Sequence, residues 1–392
     1  MQTWKSNLLF LWIAQVFSIM GFSFALPFAP FYLQELGVTD ETELRLWAGI
    51  FASAAGLTMA IMTPFWGYLA DRIGKKPMTL RASLGGTVLL FAMGMATSPQ
   101  MLVALRALQG AFTGTVTAYL TLVVSETPKE RMGLAIGLMN SAVFLGNSVS
   151  PLLGGVFADL FGYRASFFVA SMLLAVSFLL SLLFVREDFR PQAKTSFSFF
   201  SDLKGLLFST GVFQIIGMIF FYGIAHTLQR PMLPLVVQEI ASGSLGLATQ
   251  AGIVTSAAGV AVVLSGIIMG TLADRGKSFK IGVICGLLSA CFALMIFFVT
   301  KVWQLALFYF LAAFFIGGID PILKIIMTRL VPTEKRGSAF GLIGSSRSFG
   351  WFAGSLSGGV FAALWGLRSV FVITAGLFAM LAGLLALLQR EK

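Results

Sequence analysis

The sequence predicts an all-α membrane protein of twelve transmembrane helices, arranged as two pseudo-symmetric six-helix bundles. Of its 392 residues, 57% are hydrophobic and only 11% are charged, whereas a soluble domain is about 25% charged. The charged residues fall in short islands, and the apolar runs between them reach the roughly 20 residues that cross a bilayer. A stretch of the first half also recurs in the second half, which indicates two related bundles.

The predicted spans follow one another from charged island to charged island. They cover about 7–34, 47–70, 77–97, 100–125, 132–159, 165–185, 207–238, 249–272, 280–300, 302–328, 337–363 and 367–388. Glycine and proline inside these runs do not exclude helix, because neighbouring helices can satisfy the freed backbone groups. A transmembrane barrel would instead show alternating segments of about 10 residues.

The distribution of positive charge predicts the topology. If both termini are cytoplasmic, most of the 27 Lys and Arg residues fall on the cytoplasmic side, as the positive-inside rule expects. The exceptions on the opposite side are Arg45, Arg164, Lys301 and Arg368, and those within spans are Arg106, Arg230, Lys324 and Arg347. The net charge of +11 therefore reflects topology, and nucleic acid is not an expected partner.

An internal repeat defines the two halves. Residues 128–164 align without gaps on 332–368, and the run Gly154-Gly155-Val156-Phe157-Ala158 recurs at 358–362. An even number of spans in each half leaves the halves parallel, with a solute path expected between them near the membrane midplane.

These observations predict the domain boundaries. The first six-helix bundle covers 1–186, a polar cytoplasmic linker covers 187–206, and the second bundle covers 207–392. The first apolar run is too long for the core of a signal peptide, so we expect it to be retained as the first helix.

The loop between the second and third spans carries the first motif, with Gly67, Asp71, Arg72 and Gly74 in the order G-x-L-A-D-R-x-G. A charged loop that merely obeys topology is the alternative, but the first part of the motif recurs, with Asp274 and Arg275 as its charged pair. The motif resembles the loop signature of the major facilitator superfamily. The resemblance implies a cytoplasmic gate, in which Glu126 is the expected partner of Arg72.

The fourth span carries a second motif, Leu102-x-x-x-Arg106-x-x-Gln109-Gly110. It resembles a signature associated with proton-coupled members of the same superfamily. A charge within a span is costly and is treated as functional by default. The alternative is that Arg106 extends to the nearby membrane surface.

The fifth span carries a third motif, Gly146-x-x-x-Ser150-Pro151-x-x-Gly154-Gly155. It resembles the motif of drug:proton antiporters, except that Ser150 replaces a glycine. Proline bends a helix and small residues allow close packing, so Pro151, Gly154 and Gly155 are predicted to form a hinge. Ordinary glycine-rich packing is the alternative, and the second half lacks the proline.

The embedded charges of the second half are candidates for proton coupling. Asp320 is the one acid left after loops and helix ends are removed, and Lys324 shares its helix face at i,i+4. A permanent pair of these two residues would be structural rather than functional. Arg347 is the candidate third member that prevents a closed pair.

A polar face in the seventh span supplies candidates for the substrate cavity. Tyr222, His226, Gln229 and Arg230 share this face by their spacing. Histidine titrates near physiological pH, which makes His226 a further proton-coupling candidate. The alternative is a neutral, hydrogen-bonded histidine, which the neighbouring arginine favours. The expected cavity also includes Gln15 and Gln109 from the first half.

The motifs together predict a secondary active transporter in a bacterial inner membrane, with proton-coupled efflux of amphiphilic drugs as the leading hypothesis. The alternatives are export of a sugar, lipid or siderophore, or nutrient import, on the same fold. An intramembrane enzyme or a receptor is disfavoured, because an enzyme needs a convergent catalytic cluster. The expected partners are a small amphiphilic substrate, protons and lipid. We expect a monomer without cofactor or metal, since the proton gradient supplies the energy.

Overall fold

The computed structural model describes residues 3–189, 210–241, 246–272, 278–331 and 336–390. The predicted linker lies mostly outside these ranges, as do Asp274 and Arg275 of the repeated loop motif. The described residues form helices and their connections, and no strand occurs among them.

The helices follow the predicted spans closely. They are α1 (Thr3–Ala25), α2 (Ala29–Glu35), α3 (Glu41–Ile73), α4 (Lys75–Gly94), α5 (Pro99–Phe112), α6 (Thr115–Glu126), α7 (Met132–Phe161), α8 (Tyr163–Phe184), α9 (Thr210–Leu228), α10 (Leu233–Ile240), α11 (Leu247–Leu272), α12 (Ser278–Ile296), α13 (Val302–Leu330), α14 (Arg336–Trp365) and α15 (Ser369–Arg390). Each of the predicted runs contains helix. Ten helical segments are long and apolar enough to span a membrane, within the part of the chain that the structure describes.

Two predicted spans are broken at equivalent positions of the repeat. A 3-10 turn at Leu26–Phe28 separates α1 from α2, and another at Arg230–Met232 precedes α10. Each turn contains a proline, and a second proline follows at the start of the next helix, Pro30 in one copy and Pro234 in the other. Because proline lacks a backbone N–H, these positions favour a change of helix. The repeat therefore extends to the first helix of each half.

The predicted fourth span, 100–125, is confirmed as a candidate membrane segment, Pro99–Glu126, but its helix is interrupted rather than continuous. Helix α5 ends at Phe112 and α6 begins at Thr115. Between them, Gly114 adopts a φ of 108°, in the left-handed region that glycine enters without steric cost. Hydropathy alone does not show this break, because the helices on both sides belong to one predominantly apolar segment, Pro99–Glu126.

The described residues form two compact units, each with its own core. The first unit comprises Met1–Thr39, Ala54–Thr195 and Ser244–Ser256, and the second comprises Asp40–Ser53, Ser196–Gly243 and Ala257–Lys392. Leu11, Tyr119 and Met139 belong to a buried cluster of the first unit. The larger cluster of the second unit is built from α9, α12, α13 and α15, with α14 adding Ile343.

Glycines bring helix backbones together at equivalent places in the two units. In the first unit, a Cβ added to Gly154 of α7 would lie 2.0 Å from the carbonyl oxygen of Phe24 in α1. In the second unit, a Cβ added to Gly358 of α14 would lie 2.0 Å from the carbonyl oxygen of Leu228 in α9. Contact of this kind is the usual mode of helix association in membranes, where small residues permit close packing.

We predict that Gly154→Ala destabilises the protein by about 1–3 kcal/mol, since the added methyl group must push α1 and α7 apart. Gly217→Ala in α9 is the control, because nothing lies within 4 Å of its added Cβ. Thermal unfolding of both variants in detergent measures the difference. Equal midpoints for the two variants would contradict the packing described here.

Candidate functional site

An embedded cluster of three charged side chains lies in the second unit. The carboxylate of Asp320 in α13 accepts a hydrogen bond from Lys324 Nζ at 2.5 Å. On its other oxygen, Asp320 pairs with Arg347 Nη1 of α14 at 3.7 Å. These side chains are 21%, 35% and 33% exposed, respectively. The cluster is therefore partly buried.

The structure joins the three residues that the sequence singled out in this half. Asp320 bridges two cations from two helices, so it is not closed in a pair with Lys324 alone. The carboxylate thereby links α13 to α14. A proton on Asp320 would remove one member from both ion pairs, which is the kind of change that a coupling site requires. Its role in proton coupling stays a prediction.

An aromatic contact positions Arg347 in a way that the sequence analysis missed. The guanidinium lies over the Trp351 ring, 5.3 Å from the ring centroid. This cation–π contact orients the arginine while leaving part of it free for Asp320. The i,i+4 spacing of Arg347 and Trp351 was the available signal, because such residues share a helix face. The indole nitrogen of Trp351 is buried without a hydrogen bond in the described part of the chain.

A second polar group of this unit runs along α9. The rings of Tyr222 and His226 stack with their centroids 5.5 Å apart. Arg230 Nη2 lies 3.1 Å from His226 Nε2, and an arginine can only donate, so Nε2 accepts and the imidazole is neutral. This geometry favours the neutral histidine of the two sequence-based alternatives. His226 Nδ1 and Gln229 Oε1 are buried and make no hydrogen bond to the residues described.

The polar candidates of the first unit come from α1 and α5. Arg106 donates a hydrogen bond to Gln109 Oε1 one turn further along α5. Gln109 is buried, at 1% exposure. Gln15 of α1 is also buried, and neither atom of its amide bonds to another described residue. Buried amides without partners are unusual, and a place for Gln15 in the substrate cavity stays a prediction.

The loop motif between α3 and α4 is held by a residue that the sequence analysis did not consider. Gly74 has a φ of 102°, and the next helix, α4, begins directly after it. Glu187 accepts hydrogen bonds from the backbone N–H groups of Lys75 and Lys76 at 2.7 and 2.8 Å. A carboxylate at a helix N-terminus satisfies free donors and complements the helix dipole. No sequence spacing links Glu187 to a helix start more than a hundred residues away.

The other gate candidates are only partly described. Arg72 lies over the Tyr68 ring, 4.3 Å from its centroid. Pairing of Arg72 with Glu126 stays a prediction. Gly67 is exposed and lies near the end of α3. Asp71 belongs to the last turn of that helix.

The predicted hinge of the fifth span contacts α11, within the first unit. Pro151 lies inside α7, and the backbone N–H of Leu152 donates to Ser256 Oγ at 3.0 Å. A Cβ on Gly155 would lie 2.2 Å from the carbonyl oxygen of Ala248. The proline and glycines thus allow close backbone contact, and whether α7 bends there during function stays a prediction.

We predict that Asp320→Asn lowers the free energy of unfolding by about 1–3 kcal/mol, because Lys324 and Arg347 lose their acid partner. The double variant Asp320→Asn/Lys324→Met should recover part of the loss, since it removes one unpaired cation. Chemical denaturation in detergent measures both, with the exposed Glu43→Gln as control. Equal losses in the single and double variants would contradict coupling between the two side chains.

Comparison with known proteins places the chain in one family along nearly its whole length. The family described as Major Facilitator Superfamily matches residues 11–227 and 215–392. The multidrug resistance protein MdtG of Salmonella arizonae is 34% identical over 374 residues, covering 95% of this chain and 93% of that protein. The MdtG protein of Salmonella typhimurium gives the same identity and coverage.

Solved structures show the same fold at low sequence identity. The nucleoside transporter NupG has a TM-score of 0.82 at 15% identity and covers 97% of this chain and 99% of its own. The human organic anion transporter MFSD10 has a TM-score of 0.72 at 17% identity, over 98% and 100% of the two chains. With its apolar spans and its internal repeat, the chain belongs to the major facilitator superfamily of secondary transporters and is a multi-pass membrane protein.

Proposed function

We propose that this protein exports amphiphilic drugs and similar apolar small molecules, driven by protons that flow inward. The observation that supports proton coupling is the position of Asp320, a half-buried acid held between two cations on two helices. Similarity to multidrug resistance proteins over 95% of the chain supports the substrate class. The alternatives of sugar, lipid or siderophore export and of nutrient import lack such support.

The proposed setting is the bacterial inner membrane, with both termini cytoplasmic and the protein acting as a monomer. The positive-inside distribution of Lys and Arg supports this orientation. We propose that the two six-helix bundles cover 1–186 and 207–392, with the linker at 187–206 between them. The proton gradient takes the place of a cofactor.

The proposed coupling step is protonation of Asp320. The ionised carboxylate holds Lys324 on its own helix and Arg347 on α14. Protonation removes its charge, so both ion pairs weaken and the link between α13 and α14 is lost. Embedded acids of this kind commonly serve as proton relays in pumps and transporters.

The energy available to such an exchange is substantial. One proton that enters down a potential of ~100 mV gains ~2.3 kcal/mol, and one pH unit adds ~1.4 kcal/mol. Exchange for a monovalent cation would move no net charge and would leave only the pH contribution. Exchange for a monovalent anion would move two charges and double the contribution of the potential to about 4.6 kcal/mol.

The charge of the site further favours substrates with a neutral or anionic polar group. Away from the ends of the second half's spans, Arg230, Lys324 and Arg347 accompany the single acid Asp320. A cationic group brought to ~4 Å from one surplus cation would lose about 4 kcal/mol at an effective dielectric constant of about 20. The buried indole N–H of Trp351 offers a further donor to an anion.

We predict that Asp320→Asn abolishes export driven by a pH gradient, while binding of a neutral substrate persists within about threefold. Purified protein in liposomes with an imposed gradient measures transport, and equilibrium binding in detergent measures affinity. The threefold limit corresponds to less than about 0.7 kcal/mol. Glu43→Gln, an exposed acid of α3, is the matched control. Gradient-driven export that survives in Asp320→Asn would remove Asp320 from the coupling step.

We predict that an amphiphile with a sulfonate group inhibits transport at least about tenfold better than one with the same apolar body and a quaternary ammonium group. Tenfold corresponds to ~1.4 kcal/mol, well within the electrostatic difference expected at the cluster. Arg230→Gln should reduce this preference. Stronger inhibition by the ammonium compound would contradict the proposed charge selectivity.

A further inference from the structure

Asp159, in the last turn of α7, holds the first turn of α11 through three hydrogen bonds. Its carboxylate accepts from the backbone N–H groups of Ala248 at 3.1 Å and Thr249 at 2.6 Å. It also accepts from the Thr249 hydroxyl at 2.5 Å. Helix α11 begins at Leu247, so the carboxylate meets backbone donors that have no partner within their own helix. The negative charge also complements the helix dipole.

The three hydrogen bonds lie at one end of a longer contact that we call the α7–α11 seam. It consists of Pro151, Leu152, Gly155 and Asp159 against Ala248, Thr249, Gly252 and Ser256. A Cβ on Gly252 would lie 2.4 Å from the carbonyl oxygen of Pro151, so the backbones touch. The whole seam belongs to the first compact unit. Asp159 supplies the only charged side chain among these eight residues.

The repeat shows that this acid is particular to the first copy. Ala363 stands in the second half at the position that corresponds to Asp159. In the second unit, the equivalent end of α14 is bound by a base, since Arg45 of α3 donates to the carbonyl oxygen of Ala362 at 3.3 Å. Arg45 also pairs with Glu41 at 2.6 Å. An acid at a helix N-terminus and a base at a helix C-terminus both complement the helix dipole.

The location of Asp159 indicates what these hydrogen bonds control. Helix α7 runs away from the membrane face at which the chain begins, because it is the fifth span, so Asp159 lies at the opposite face. We call this the far face. In an alternating-access transporter, the solute path must open at each face in turn. Contacts between a helix of the first half and one of the second at the far face must separate when the path opens there.

We propose that Asp159 is a positioning residue of the transport cycle, which keeps the far face closed by clamping the first turn of α11. The proposal rests on the proposed function only in requiring alternating access. Glycine packing brings α7 and α11 together along the seam, and the hydrogen bond from Leu152 N–H to Ser256 Oγ joins them at a point further from the far face. The Asp159 carboxylate adds three hydrogen bonds, and all three form together only when the first turn of α11 lies directly against the end of α7. Their loss should therefore favour opening at the far face.

The test measures access to the seam in the full-length protein in lipid nanodiscs, without substrate or pH gradient. Cys285 and Cys291 are replaced by alanine, and Ala248→Cys places one thiol at the seam. The rate of its modification by a polar maleimide reports separation of α7 from α11. Asp159→Asn should raise this rate about tenfold, which corresponds to ~1.4 kcal/mol. Asp159→Glu should lie between Asp159→Asn and the unchanged protein.

Matched variants separate the clamp from general damage. Glu43→Gln removes another exposed acid, from the first turn of α3, and should leave the rate unchanged. Thr249→Val removes only the hydroxyl donor and should raise the rate by about threefold, or ~0.7 kcal/mol. The Thr249→Val variant keeps the proposal testable if Asp159→Asn fails to fold.

A modification rate in Asp159→Asn equal to that of the unchanged protein would overturn the proposal. The same holds for Thr249→Val if the first variant does not fold. Because no drug or proton gradient is used, this failure is distinct from a failure of proton-coupled export. Conversely, export that survives in Asp320→Asn would contradict the proposed coupling step without affecting the modification rates expected at the seam.

Discussion

The absence of hydrogen-bond partners in hydrocarbon is the constraint on which the rest of this structure depends. Every backbone group within the membrane must be satisfied inside the protein, so the spans are helical. Because lipid tails are as apolar as the side chains, the hydrophobic effect does not drive the helices together. Close backbone packing at small residues contributes much of the stability of helix association instead. Gly154 against Phe24 and Gly358 against Leu228 show this packing in each unit. The glycine-rich runs therefore identify the repeat in the sequence and also allow the helix backbones to pack closely.

The same constraint explains the arrangement of embedded charges. A charged group away from water is costly unless it is paired, so Asp320 is found between Lys324 and Arg347. His226 avoids the cost of a buried charge because its neutral ring accepts a hydrogen bond from Arg230. Within the spans of the second half, Arg230, Lys324 and Arg347 accompany one acid, and this excess of positive charge is the basis of the proposed preference for neutral or anionic substrates. The cluster is thus suited to couple charge movement to helix movement.

Charged groups at helix ends form a second electrostatic layer. Glu187 binds the start of α4, Asp159 binds the start of α11, and Arg45 binds the end of α14. Each interaction uses backbone groups that the helix itself leaves free. Such contacts are strong when made and are lost completely when the helix end moves away. They are therefore suited to hold one conformation of a transporter without preventing the other.

The sequence by itself determined the spans, the repeat and the inventory of embedded charges, because hydrocarbon imposes a minimum apolar length and makes each internal charge conspicuous. It did not reveal the break at Gly114, since hydropathy is blind to backbone angles. It also gave no sign of the Glu187 and Asp159 contacts, whose partners lie on helices distant in the chain. Only the tertiary structure decided these, because the donors that bind them are backbone groups common to every residue, which leave no signature in the sequence.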